Sequence, residues 1–223
     1  MNRIIKYFGK RGELEKRLYS VTQNPEKYLI VSSHLDNLVE FVDVSDEEFF
    51  TFCDALGDEV YTEGNEKLEK VLVDFLLENG LTLSVAESCT GGMISSKIVD
   101  VPGASKVFYE GVVTYSNGAK IERLSVPEET LRTCGAVSEE TAKDMAYGLL
   151  NENVDIAVST TGIAGPDGGT DEKPVGLVYI GIAYKNADVL AYKCNFSGKR
   201  NEIRSSATNA ALYLCYNYLQ KNL

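Results

Sequence analysis

Beyond Gly80 the chain alternates between short apolar runs and segments whose apolar residues recur three and four positions apart. The runs Leu81 to Ala86, Val107 to Tyr115, Val154 to Thr160, Val175 to Tyr184 and Val189 to Phe196 have the length and β-branched content of strands. Between them the pattern predicts helices over Thr90 to Val99, Glu128 to Thr133 and Glu139 to Leu150, the last opened by Ser138 as N-cap. A long terminal helix from Arg200 to about Gln220 is predicted to bury Ile203, Ala207, Ala211, Leu214 and Tyr218. Such alternation argues an α/β fold, a sheet covered by helices. The tight hairpin signal Lys185-Asn186-Ala187-Asp188 joins the last two strands, so the sheet is expected to be mixed.

Upstream, the pattern is that of a small α+β unit. An apolar strand near Ile4 to Phe8 is followed by a helix carrying Leu14, Leu18 and Val21, then by strands over Tyr28 to Ser32 and Leu38 to Val44. Ser45-Asp46-Glu47-Glu48 is an N-cap with acids in the first turn, which predicts a helix to about Leu56. Gly57 to Asn65 reads as a boundary, giving a small domain over residues 1–64 and a larger one over 65–223. The larger one opens with a helix on which Leu68, Val71, Leu72, Phe75 and Leu76 share a face, ended by Gly80.

Composition removes several classes of function. At 223 residues and 44% hydrophobic content the chain can bury a full core. A formal net charge of -11 opposes the long-range attraction on which nucleic-acid binding depends, so no nucleic-acid partner is expected. No run approaches the ~18 apolar residues of a membrane span, and Met1 to Tyr7 lacks the apolar core of a secretory signal; no membrane association and a cytoplasmic location are expected. Five widely spaced cysteines with no CxxC pair suggest neither a disulfide framework nor a zinc site, and no metal or cofactor is expected. The single histidine, His34, lies far from every other candidate in the sequence.

The remaining chemistry rests on two hydroxyls and an amine. Ser88 lies in Ala86-Glu87-Ser88-Cys89-Thr90-Gly91-Gly92, Ser105 in Pro102-Gly103-Ala104-Ser105, and Lys120 closes Tyr115-Ser116-Asn117-Gly118-Ala119-Lys120. The turn after Ser88 is expected to aim unpaired helix-terminal amides at an anion above Ser88 and Thr90, or at the oxyanion of a tetrahedral intermediate. The plainer reading is a serine that only caps a helix. A second glycine-rich loop, Thr160-Thr161-Gly162-Ile163-Ala164-Gly165-Pro166-Asp167-Gly168-Gly169-Thr170, also follows an apolar run, and clefts of α/β sheets gather where strands end.

Lys120 is an ordinary surface charge if solvated. If it is buried, its lowered pKa makes it a base for a serine hydroxyl, and either Ser88 or Ser105 could be the nucleophile. Arg200 and Arg204 are candidates for phosphate recognition. Gly9-Lys10-Arg11-Gly12 imitates an RNA-binding GxxG loop, but it follows a strand and the overall charge is wrong for it.

Taken in order, Ala86 to Gly92, Pro102 to Ser105, Tyr115-Ser116-Asn117 with Lys120, Gly135-Ala136-Val137-Ser138, Thr161 to Pro166 and Lys173-Pro174-Val175-Gly176 resemble the C-terminal domain of the competence/damage-inducible CinA family. The same domain also occurs alone as the nicotinamide-nucleotide amidase PncC. The resemblance covers about Asn65 to the C-terminus; residues 3–64 more weakly resemble the small KH-like middle domain of that family. It implies a three-layer α/β/α amidase that converts nicotinamide mononucleotide and water to nicotinate mononucleotide and ammonia by a serine/lysine mechanism. By motif it places the catalytic positions on Ser88, Ser105 and Lys120. Substrate-binding positions fall on Thr90, Gly91, Gly92, Tyr115, Thr161, Gly162, Gly165 and Arg200.

The family's N-terminal molybdopterin-binding-like domain finds no counterpart here, so its pyrophosphatase activity is expected to be absent. A different class of function is a non-catalytic nucleotide-binding or regulatory module using the same cleft. Because so small an N-terminal unit buries little core by itself, a homo-oligomer is expected.

Overall fold

The computed structural model describes residues 3–223, so Met1 and Asn2 of the expected small domain lie outside the described residues. The chain divides into two compact units, one ending at Val71 and the other running from Leu72 to Leu223.

The first unit runs β1 (Arg3–Phe8), α1 (Arg11–Val21), β2 (Tyr28–Ser33), β3 (Asp36–Phe41), α2 (Asp46–Leu56) and β4 (Val60–Glu63). Its strands form an antiparallel sheet in the order β2-β3-β1-β4, the split βαβ arrangement. Alternate residues of β1 and β3 (Ile5, Tyr7, Val39, Phe41) bury against Leu14 and Leu18 of α1 and Phe49 and Phe52 of α2. Ser45 and Glu48 close a full capping box on α2. Two features escape the sequence pattern. Strand β4 lies in the stretch taken as a boundary, because Val60-Tyr61-Thr62-Glu63 is short and flanked by glycine and acids. The β2–β3 hairpin turns through His34 and Leu35, both at positive φ (49 and 71), with no glycine to mark it. Gly9 to Gly12 spans the end of β1 and the start of α1, where Gly12 is helical, so no loop between two helices exists there.

Helix α3 (Leu68–Asn79) leads to β5 (Leu83–Glu87), α4 (Met93–Val99), β6 (Phe108–Val113), α5 (Asn117–Leu124), α6 (Glu128–Thr133), α7 (Glu139–Tyr147), β7 (Ile156–Gly162), β8 (Leu177–Tyr184), β9 (Leu190–Asn195) and α8 (Arg200–Asn222). The sheet is mixed, ordered β6-β5-β7-β8-β9: β5 pairs in parallel with β6 and β7, while β8 and β9 continue antiparallel. Helix α7 covers one face, with Met145 and Ala146 against Ala86, Ala157 and Ala183. Small residues permit that approach: a Cβ on Gly181 would stand 2.3 Å from the Ala142 carbonyl oxygen. On the other face α8 packs Tyr218 against Tyr184 and Tyr216 edge-on to Phe75 of α3. The unit is therefore a three-layer α/β/α domain.

The strand order sets the position of the cleft. Leaving β5, the chain passes through α4 to β6 on one side, then through α5, α6 and α7 to β7 on the other. The carboxyl ends of these three parallel strands bound a crevice at the topological switch point.

Candidate active site

Three strand ends bring the site together. The parallel ladder extends one residue past β5, where the Ser88 amide donates to the Thr160 carbonyl and the Thr114 amide donates to the Glu87 carbonyl. Ser88, Thr114 and Thr161 therefore lie at one level. After Tyr115, Ser116 caps α5 by accepting from the Ala119 amide, and the first turn of that helix turns Lys120 back beneath the strand ends.

Lys120 is 1% exposed and Ser88 8%. The Lys120 Nζ is 3.2 Å from Ser88 Oγ, 2.8 Å from the Thr114 carbonyl oxygen and 3.3 Å from that of Tyr115. All three neighbours are neutral. Burial lowers the pKa of Lys120 below the ordinary lysine value, only partly opposed by the Cys89 thiol; the latter is itself pushed up to about 11 by burial. Carbonyl oxygens can only accept, so two N–H bonds go to Thr114 and Tyr115 and the third position on the nitrogen faces Ser88 Oγ: an ammonium donates there, and a free amine turns its lone pair to the hydroxyl.

Part of the amide supply in the turn after Ser88 is already taken. Glu87, fully buried, turns its carboxylate into the start of α4 and accepts from the amides of Gly92 (2.8 Å), Ile94 (3.1 Å) and Ser95 (2.9 Å) and from the Ser95 hydroxyl (2.8 Å). A buried carboxylate needs donors, and helix-terminal amides are the nearest supply. Helix α4 accordingly starts at Met93, not at Thr90. Thr90 is buried with its hydroxyl on that of Thr160 (2.8 Å), and Gly91 and Gly92 adopt left-handed φ (60 and 94) that carry the chain round the carboxylate. These three residues shape the turn without lining the cleft. Arg204 is likewise committed, donating to the carbonyls of Cys89 (3.0 Å) and Thr90 (2.8 Å).

Ser105 is not brought to Lys120. It is exposed on a 3-10 turn ahead of β6, while Ser88 and Lys120 lie beyond the other end of that strand. The cause is topological: β6 must run parallel to β5, so α4 first carries the chain back to the amino end of the strands, and the rise of β6 alone separates the two ends by roughly 16 Å. Within the described chain Ser88 is the candidate hydroxyl in reach of the amine.

The cleft, about 180 Å³, is lined by Ser88, Cys89, Lys120 and Tyr115 on one side and by Ala136, Val137, Thr161, Gly162 and Ala164 on the other, with Arg200 among its lining residues. Gly165 contributes through its carbonyl, which accepts from Arg200 (2.7 Å), while the second guanidinium nitrogen is 3.4 Å from the Tyr115 hydroxyl. Tyr115 is 63% exposed. The wall from Ala136 to Ser138 is fixed by residues distant in sequence: Thr161 donates to the Ala136 carbonyl (2.5 Å), and Lys173 donates to those of Cys134 and Val137 (2.8 Å each). Reading the chain locally misses Ala136, Val137 and Ala164 as lining residues and Lys173 as their support, since only the motif order hints at them.

A mixed α/β domain with a buried serine and lysine at its switch point is a defined class of architecture, and comparison places it. Residues 65–219 match the CinA C-terminal domain family. A competence-damage inducible relative in Caldicellulosiruptor saccharolyticus is 45% identical across 95% of this chain and 54% of its own length. A CinA-like protein of Kosmotoga olearia is 54% identical across 71% of the chain and 39% of its own length. Among solved structures, the competence/damage inducible protein CihA of Agrobacterium tumefaciens is 39% identical, with a TM-score of 0.64, covering 73% of this chain and all of its own. The competence damage-inducible protein A of Klebsiella pneumoniae is 31% identical with a TM-score of 0.67, covering 70% of this chain. The chain belongs to the CinA family. The chain spans about half the length of the Caldicellulosiruptor relative. No helix of the described residues is long and apolar enough to cross a membrane.

Proposed function

We propose that the chain is an amidohydrolase that deamidates nicotinamide mononucleotide to nicotinate mononucleotide and ammonia, with Ser88 as nucleophile and Lys120 as base. The observation that carries the reading is the buried Lys120 amine 3.2 Å from Ser88 Oγ, with its remaining polar contacts made to carbonyls. Lys120 takes the hydroxyl proton as Oγ attacks the carboxamide carbon. The resulting ammonium returns the proton to the leaving nitrogen, ammonia departs and a serine ester remains. Water, deprotonated by the same amine, then releases the acid.

Ligands of drug size fill pockets of about 300 Å³ or more, so a cleft of about 180 Å³ suits one ring of a nucleotide better than the whole of it. Arg200 lines the cleft and is the cation offered to the nucleotide's phosphate, and Tyr115 offers an exposed ring beside it. An ammonia-coupled assay across the mononucleotide, its riboside and the dinucleotide tests the reading. Ammonia is expected from the mononucleotide without added metal, and none from Ser88→Ala or Lys120→Ala. Stoichiometric binding with no ammonia from any of the three would make the chain a nucleotide-binding module instead.

A further inference from the structure

Strand β2 is an outer strand of its four-stranded sheet and has none of the devices that blunt an edge. Tyr28-Leu29-Ile30-Val31-Ser32-Ser33 contains no charge and no proline, and its pairing with β3 runs without a bulge. The opposite edge, β4, is protected: it has only four residues, and its register with β1 is broken at Lys6/Tyr7. On β2, Leu29 and Val31 are 56% and 58% exposed.

The antiparallel ladder decides which backbone groups remain open. The tight turn at His34-Leu35 makes Ser33 and Asp36 a hydrogen-bonded pair, so Ser33, Val31 and Leu29 bond to β3. The amides and carbonyls of Tyr28, Ile30 and Ser32 then point away from the sheet. This set is its own complement. A two-fold axis through Ile30 sets Ile30 against Ile30 and Tyr28 against Ser32 of an antiparallel copy, and the same register lays Leu29 beside the copy's Val31.

Charge agrees with this pairing. A groove of about 750 Å³ beside the strand is lined by Arg11, Glu15, Lys16 and Tyr19 of α1, with Arg11 and Glu15 paired at 2.7 Å. The rim thus carries both signs beside an uncharged strand, on a chain whose net charge of -11 repels a second copy elsewhere.

We propose that β2 pairs with β2 of a second copy of this chain, joining two sheets into one. The pairing is independent of the chemistry at Ser88. Sedimentation equilibrium of the whole chain, with hydrogen exchange, tests it. The expected result is a species of twice the 24.5 kDa monomer mass, with amides of Tyr28, Ile30 and Ser32 whose protection rises with protein concentration. Val31→Lys and Leu29→Lys, at exposed positions that leave the monomer core intact, are each expected to weaken association by at least about tenfold, because a two-fold axis counts each change twice. A wild-type chain that stays monomeric to about 100 μM overturns the proposal. So does a dimer indifferent to both substitutions, whose interface would lie elsewhere.

Discussion

Glu87→Gln removes one acceptor oxygen from the centre of the turn that presents Ser88. In the native turn Oε2 takes the amides of Gly92 and Ile94, and Oε1 takes the amide and hydroxyl of Ser95. Glutamine keeps one oxygen for two of these donors and turns an NH2 toward the other two. Each buried donor left unpaired costs about 1–3 kcal/mol, so the variant is expected to lose about 2–6 kcal/mol. Against a total stability of roughly 5–15 kcal/mol that is a large fraction.

Urea unfolding followed by circular dichroism measures the loss. The transition with the larger m belongs to residues 72–223, the larger of the two units. Catalysis should respond as well, because Ser88 is the next residue: misplacement of a reacting group by about 1 Å costs on the order of 100-fold in rate, so kcat should fall much further than KM rises. A folded variant within about 1 kcal/mol of wild type, at unchanged m and unchanged kcat, would refute the view that this carboxylate holds the nucleophile in place.

Four further outcomes are expected. In the ammonia assay kcat/KM should rise with pH and level off above a pKa lower than the ordinary ~10.4 of lysine, since the free amine is the active form; an acid limb assigned to a carboxylate would contradict it. The same shift affects stability: with its folded pKa lowered, Lys120 binds fewer protons folded than unfolded, so stability should increase with pH between the folded value and ~10.4, and Lys120→Met should remove that slope in pH-dependent unfolding. Arg200→Ala should raise KM for the mononucleotide by ~10- to 100-fold with little change in kcat, and should erase the preference over the riboside in steady-state kinetics. Gly181→Ala should cost ~1–3 kcal/mol in urea unfolding, because its Cβ would stand 2.3 Å from the Ala142 carbonyl oxygen and 2.5 Å from Ser159 Oγ.

What the chain reveals in advance depends on how local each cause is. The strands from β5 to β9 and the long α8 are legible because burial on a sheet imposes runs and burial on a helix imposes spacing; Ile203, Ala207, Ala211 and Tyr218 are all buried as their spacing requires, while Leu214 is only half-buried. The Lys185 to Asp188 turn foretells the antiparallel β8–β9 pair correctly, since Asn186 takes the positive φ (62) that such turns need. Strand β4 is hidden because four residues are too few for a period to emerge.

At the site, Ser88 and Lys120 are visible as residue types at strand-to-helix turns, but their meeting depends on β5 and β6 lying side by side. For Ser105 the same glycine-turn signal occurs at the wrong end of a strand, and end is a property of topology. That some helix-terminal amides after Ser88 are already occupied is hidden for a subtler reason. Glu87 looks like an acid closing an apolar run, and its capture of amides up to eight residues ahead appears only once the turn is folded.

The strand-end origin of the Ser88–Lys120 pair separates two kinds of change that sequence drift can make. Ser88 and Lys120 hang from strand ends fixed by backbone ladders, whereas the walls at Ala136 to Ser138 and Gly162 to Val175 are surface excursions tethered by a few side chains such as Lys173. The outline of the cleft can therefore change while the Ser88–Lys120 pair stays where it is, and swapping those two excursions between homologues is a route to altered binding around an unaltered pair.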